Sequence, residues 1–343
     1  MTLSKPKREP ATNLREILRV CRDLIKPIRG VSAGSGLNWN KAELLLELWR
    51  VADGIGDFHP DADGFVTFNE LRESLVDNQP HVSRRIKEVA ARDRQWVEVR
   101  ESKKGEAHHA NSHCVRISKK GIATIKPVWE NLRELASELF DRIRLTDRRV
   151  HLQVNQRILH KIRSYRYDAS QKTPPADPVE NIITTLKVRR ELMTPRVKER
   201  LLEGTNLTLE KADILVGLYG VMKFDWPDPR SDEEGFVTFK PLQASSVHSQ
   251  SSSQFLFSRR IRDLEGADWI EIRKAKPDQK YLGENDRFRI TEKGILVIEP
   301  VWNKYQELAE DLMEDVPPRM RLVHLQVNEK LLRKLQPPWA RLL

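Results

Sequence analysis

The chain has 343 residues, 60 of them Lys or Arg and 50 Asp or Glu, for a formal net charge of +10. That length has room for two domains of ordinary size, and the basic balance suits a polyanionic partner better than an acidic substrate. Two cysteines, Cys21 and Cys114, exclude a disulfide scaffold or a cysteine-rich zinc site, and no apolar run nears the roughly 20 residues of a membrane span.

The first residues, MTLSKPKREPATN, lack the apolar core of a signal peptide, so a cytoplasmic, reducing setting with no membrane partner is expected. Leu14, Ile17, Leu18, Cys21, Leu24, Ile25 and Ile28 recur at spacings of three and four and predict an amphipathic opening helix. Cys21 on that helix reads as a small buried residue in preference to a redox sensor. Asn38 or Asn40 can cap a second helix carrying Leu44, Leu45, Leu48 and Trp49. A short strand over 65–68 and a helix over 69–75 follow.

After a turn at 76–79, Pro80 opens a helix to about Arg92 whose buried stripe is Val82, Ile86 and Val89. Residues 96–100 alternate as a strand, return through 115–117, and enclose a polar loop rich in Lys and His, which makes a hairpin. Ser118 caps a long helix with Ile122, Ile125, Trp129, Leu132, Leu135 and Leu139 on one face. A last helix covers about 149–162.

The same text then returns. Gly64-Phe65-Val66-Thr67-Phe68 recurs as Gly235-Phe236-Val237-Thr238-Phe239, and Ser83-Arg84-Arg85-Ile86 as Ser258-Arg259-Arg260-Ile261. Trp96 to Arg100 recurs as Trp269 to Arg273, Pro127-Val128-Trp129 as Pro300-Val301-Trp302, and Val150 to Asn155 as Val323 to Asn328. The order is kept and the offset drifts by only a few residues, so the chain holds two copies of one fold. The counterpart of the opening helix is expected over about 179–197. Residues 164–177, with Pro174-Pro175, read as a linker, dividing the chain into 1–163 and 178–343.

Phe288-Arg289-Ile290-Thr291-Glu292-Lys293-Gly294, followed by an apolar helix with Pro300 and Trp302, resembles the step from wing strand to fifth helix in MarR-type transcriptional regulators. The first copy carries the variant Ser118-Lys119-Lys120-Gly121, and the likeness covers nearly the whole chain, twice. The expected fold is mainly α (α+β): two tandem winged helix-turn-helix domains with extra terminal helices. The family's dimerisation by terminal helices implies a single-chain, monomeric pseudo-dimer presenting two recognition helices about 34 Å apart. One departure stands out: the family's wing Asp-x-Arg has no equivalent in the first copy, and Asp286-Arg287 lies closer to Thr291.

With Ile86 facing the core, His81, Arg84, Arg85 and Glu88 are expected to point outward, with Leu256, Arg259, Arg260 and Asp263 in the second copy. Arginine can grip guanine bidentately or neutralise phosphate, so double-stranded DNA is the expected partner. His81, Ser83, Arg84 and Arg85 are the candidate contacts in one copy and Ser258, Arg259 and Arg260 in the other. The hairpins offer Lys103, Lys104, His108 and His109, and Lys274, Lys276 and Lys280, to the phosphates. The resemblance also implies a small acidic or aromatic effector, for which Trp39, Trp49 and Trp129 mark a place.

Other chemistries find less support. Residues 59–70 resemble a calcium loop, but His59 replaces the first acid. No phosphate-binding glycine loop, HExxH or nucleophile elbow occurs, so neither catalysis nor a cofactor is expected. His151 and His324 read as hydrogen-bonded core residues. A plasmid or phage replication initiator, or a winged-helix module for protein assembly, are the rival readings.

Overall fold

The computed structural model describes residues 5–54, 58–75, 82–101, 113–163, 177–224, 231–246, 254–276 and 282–335. It is mainly helical, with two small antiparallel sheets. The first copy runs α1 (Lys5–Val31), α2 (Trp39–Ala52), β1 (Val66–Thr67), α3 (Phe68–Ser74), α4 (Val82–Ala90), β2 (Val97–Glu101), β3 (His113–Ile117), α5 (Lys119–Phe140) and α6 (Leu145–Arg163). The second runs α7 (Pro178–Leu192), α8 (Pro195–Leu202), α9 (Leu209–Phe224), β4 (Val237–Thr238), α10 (Phe239–Ser245), α11 (Gln254–Gly266), β5 (Ile270–Arg273), β6 (Arg287–Ile290), α12 (Glu292–Met313) and α13 (Pro318–Leu335). The linker expected over 164–177 lies, apart from Asp177, outside the described residues.

Local signals explain the boundaries. Asn38 takes the cap of α2 by accepting from Lys41 N, and Thr67 and Glu70 form a reciprocal capping box at α3. The single helix expected over 179–197 is two. Pro195 cannot donate into a continuing helix and disfavours helical geometry at Thr194, so α7 ends at Leu192 and Pro195 opens α8.

Each sheet puts the last strand of its copy in the middle, in the orders β1-β3-β2 and β4-β6-β5. Val97 pairs with Ile117 and Glu101 with His113; Ile270 pairs with Ile290 and Arg273 with Arg287. The helix before the first strand of each copy packs on the long helix, α2 on α5 and α9 on α12. The aromatic pair across that contact is kept: Trp49 and Trp129 have ring centroids 4.5 Å apart, and Tyr219 and Trp302 6.4 Å apart.

The chain divides into two compact units that do not coincide with the sequence repeats. One gathers residues 23–155 and 170–190, the other residues 1–22, 156–169 and 191–343. Each unit thus joins the body of one repeat to a helix from the other. In the first, His151 and Asn155 of α6 meet Asn181 and Thr185 of α7. In the second, His324 of α13 meets Asn13 of α1. Beside the polar clusters lie fully buried apolar side chains, including Leu14, Ile17 and Val188; burying each contributes about 1.5–3 kcal/mol.

The motif that joins each hairpin to its long helix has one geometry in both units. Ser118 N donates to Trp96 O and Thr291 N to Trp269 O, each at 3.0 Å, while the two hydroxyls donate to Gln95 O and Asp268 O at 2.6 Å. Those hydroxyls in turn accept from Gly121 N and Gly294 N at 3.0 Å. A Cβ on Gly121 would sit 2.0 Å from Trp96 O, and one on Gly294 2.1 Å from Trp269 O. Only glycine lets the first helical turn approach the strand so closely.

Candidate nucleic-acid interface

The face of α4 follows its buried stripe. Val82, Ile86 and Val89 are buried, while Ser83, Arg84 and Lys87 are exposed. The Arg84 side chain is 77% exposed, with Nε 3.2 Å from Glu88 Oε1. Glu88 also receives Lys41 Nζ of α2 at 3.0 Å, and hydrogen bonding to that lysine holds its carboxyl below the usual range. The one acid on the helix is therefore neutralised within the unit.

Arg85 corrects the outward placement expected from Ile86 alone. It is only 6% exposed. Val82 and Val89 both lie on the Arg85 side of Ile86, which moves the centre of the stripe by roughly 35° and leaves Arg85 about 65° from it. A side chain there is covered by the core that the stripe packs against.

In the second copy, α11 buries Phe257, Ile261 and Leu264, with Phe257 edge-on to Phe239 at 5.3 Å. Arg259 is exposed and has no ion-pair partner among the described residues. Arg260 is half-buried with its guanidinium 4.0 Å from Glu210. Asp263 is met by Lys211 Nζ of α9 at 3.1 Å, the counterpart of the Lys41–Glu88 pair. Ser258 departs from expectation, being buried at 3% exposure, and so is withdrawn from base contact. Phe255 and Leu256 are 57% and 41% exposed.

At the hairpins, Lys274 and Lys276 are exposed just beyond β5. His81, Lys103, Lys104, His108, His109 and Lys280 lie outside the described residues. Asp286, which sequence comparison presents only as a displaced family element, is 1% exposed and accepts from Ala275 N at 2.8 Å and Gly283 N at 2.7 Å. It closes the strand ends, while Arg287 beside it pairs with Asp232 at 2.9 Å.

Sequence reasoning missed how the hairpins are braced. The phenyl ring of Phe65 carries Arg100 at 4.9 Å and Arg116 at 4.7 Å; Phe236 carries Arg273 at 4.0 Å and Arg289 at 4.6 Å. Each ring meets guanidinium groups from both hairpin strands. The repeated Gly-Phe-Val-Thr-Phe was the available signal, though not for this partner. Asp61 and Asp232 bind the same assembly. Oδ1 of each accepts two loop amides, and their other oxygens meet Arg100 and Arg287. Their carboxylates serve arginines and amides, and no group of acids, histidines or cysteines among the described residues could hold a metal ion. Asp232 is held below the usual carboxylate range, first by the Phe236 amide, with Arg287 adding to the effect.

Trp39, Trp49 and Trp129, expected to mark an effector place, belong to the unit built on residues 23–155. A cavity of about 80 Å³ lies in the other unit, walled by α1, α8, α9 and α12, with Arg15, Lys198 and Tyr305 among mostly leucine and valine side chains. None of the three tryptophans lines it. Among the described residues no helix is long and apolar enough to cross a membrane.

No family model, curated protein or solved structure matches this chain.

Proposed function

We propose that the chain is a sequence-specific double-stranded DNA-binding transcriptional regulator of MarR type, a cytoplasmic single-chain pseudo-dimer whose two winged helix-turn-helix domains read a two-half-site operator. The observation that carries this reading is the repeated outward arginine. Arg84 on α4 and Arg259 on α11 occupy the same place on a helix that precedes an antiparallel hairpin. On each helix the acid one turn further on is neutralised by a lysine, Lys41 of α2 or Lys211 of α9. That arrangement leaves cationic donors facing out and suits a major groove, which admits an α-helix and presents guanine O6 and N7 to an arginine fork.

Lys274 and Lys276 support a phosphate-gripping role for the second hairpin, and the braced Phe65 and Phe236 support a hairpin held at a fixed angle. The reading requires binding alone, with no catalytic step and no cofactor. An acidic or aromatic effector belongs to the proposal as a regulatory ligand. The test is selection of duplexes from a random-sequence pool by the full chain, followed by footprinting. Two protected major grooves for one chain are expected; a single protected groove contradicts the pseudo-dimer.

A further inference from the structure

Resting on the DNA-binding reading above, we infer that α11 reads thymine, through contact of Phe255 and Leu256 with the C5-methyl group in the major groove. On α11 Phe255 and Leu256, the second and third residues of the helix, are 57% and 41% exposed. Their places in the first copy hold Pro80 and His81, which lie outside the described residues. The first turn of a recognition helix is the part that meets base edges.

The surroundings of this pair favour DNA over a protein partner. Arg259 lies one turn on from both side chains, Arg262 follows on the same face, and the nearest acid on that face, Asp263, is paired with Lys211. An apolar pair flanked by guanidinium groups is complementary to a surface that is anionic at its rim and apolar at one point. In the major groove that point is the thymine methyl, the one apolar group on the base edges. An adjacent guanine would take Arg259 through O6 and N7, so the geometry points to a thymine–guanine step under α11.

The burial accounts for why these residues are not simply core. Phe257, between Leu256 and Ser258, already fills the interior at 0% exposure against Phe239, and Ile261 and Leu264 complete the stripe. Phe255 lies roughly 150° from the centre of that stripe, so no rotation of the helix buries it without exposing the others.

The test uses the full chain and the duplex it selects from a random-sequence pool. Each thymine is replaced in turn by uracil, which keeps every hydrogen-bonding group and removes only the methyl. Uracil is expected to weaken binding about fourfold per methyl contacted. In the chain carrying Phe255→Ala and Leu256→Ala that sensitivity is expected to vanish, while Arg259→Ala retains it. Selected duplexes that bind equally well with uracil overturn the inference and leave DNA binding standing. A chain that selects no duplex overturns both. Loss of self-association in the double variant, with uracil sensitivity unchanged, assigns the patch to a protein interface and also overturns it.

Discussion

Nδ1 of His151 lies 2.9 Å from Oδ1 of Asn181, and both side chains are wholly buried. Asn181 spends its own Nδ2 on Asp177 O, so its oxygen faces the ring and the histidine nitrogen is the donor. The same relationship joins His324 to Asn13 at 2.9 Å, where Asn13 Nδ2 donates to Arg321 O. Two polar clusters built on the same His–Asn pair therefore fasten the two exchanged helices, one in each unit.

Removing one acceptor leaves a buried N–H unpaired, which costs about 1–3 kcal/mol. Asn181→Leu and Asn13→Leu are each expected to lower the unfolding free energy by that amount, measured by chemical denaturation. Pairing Asn181→Leu with His151→Leu should recover part of the loss, because no orphaned donor then remains. A double variant as costly as the sum of the singles contradicts the assigned pairing.

The glycine of each hairpin-to-helix junction should tolerate no side chain. Gly121→Ala and Gly294→Ala place a methyl against a backbone oxygen, and overpacking of this kind costs about 1–3 kcal/mol or more. A lowered thermal midpoint is the expected result for both. An unchanged midpoint would show that the strand end can retreat.

Asp232 supplies an acid-sensitive contribution. Its folded-state value lies below the ordinary carboxylate value, so its stabilisation is present above that ordinary value and is lost as pH falls through the folded one. Asp232→Asn keeps an oxygen for the Phe236 amide but loses the charge facing Arg287. The variant is expected to be less stable than the parent at neutral pH and to converge with it in acid. Parallel pH profiles would remove Asp232 as the source.

Arg84 and Arg85 separate function from packing. Arg84→Ala should leave stability unchanged and weaken duplex binding by about 1–3 kcal/mol, with relaxed preference in one half-site, and Arg259→Ala should do the same for the other. Arg85→Ala, at a buried position, should lower the thermal midpoint. The reverse pattern would move the reading face round the helix.

The repeat, the order of elements and the cap at Ser118 were legible because each rests on signals within a few residues, whereas at α2 the sequence offered Asn38 and Asn40 alike and Asn38 takes the cap. The break after Leu192 was also on the page, in Pro195, but the apolar spacing on either side masked it. What could not be read were relations across the chain. Nothing local marks Asn13 as the partner of His324, 311 positions away. Nor does the pattern Phe-Val-Thr-Phe announce that arginines of two later strands will close over its first ring. At the interface, helical periodicity placed Arg84 and Arg259 correctly but took a single residue as the inward direction. Arg85 was misplaced as a result, since burial follows the whole stripe, while Ser258, only about 60° round the helix from Ile261, is buried although it was counted among the contacts.

That this chain binds duplex DNA through basic side chains is a claim open to test by the salt dependence of its affinity for a selected duplex. A chain neutralising about 6–10 phosphates should lose roughly 10³ to 10⁵ in affinity between about 50 and 200 mM salt, with a linear log–log slope. An affinity that does not change with salt, or no duplex binding at the lowest salt, would contradict the claim.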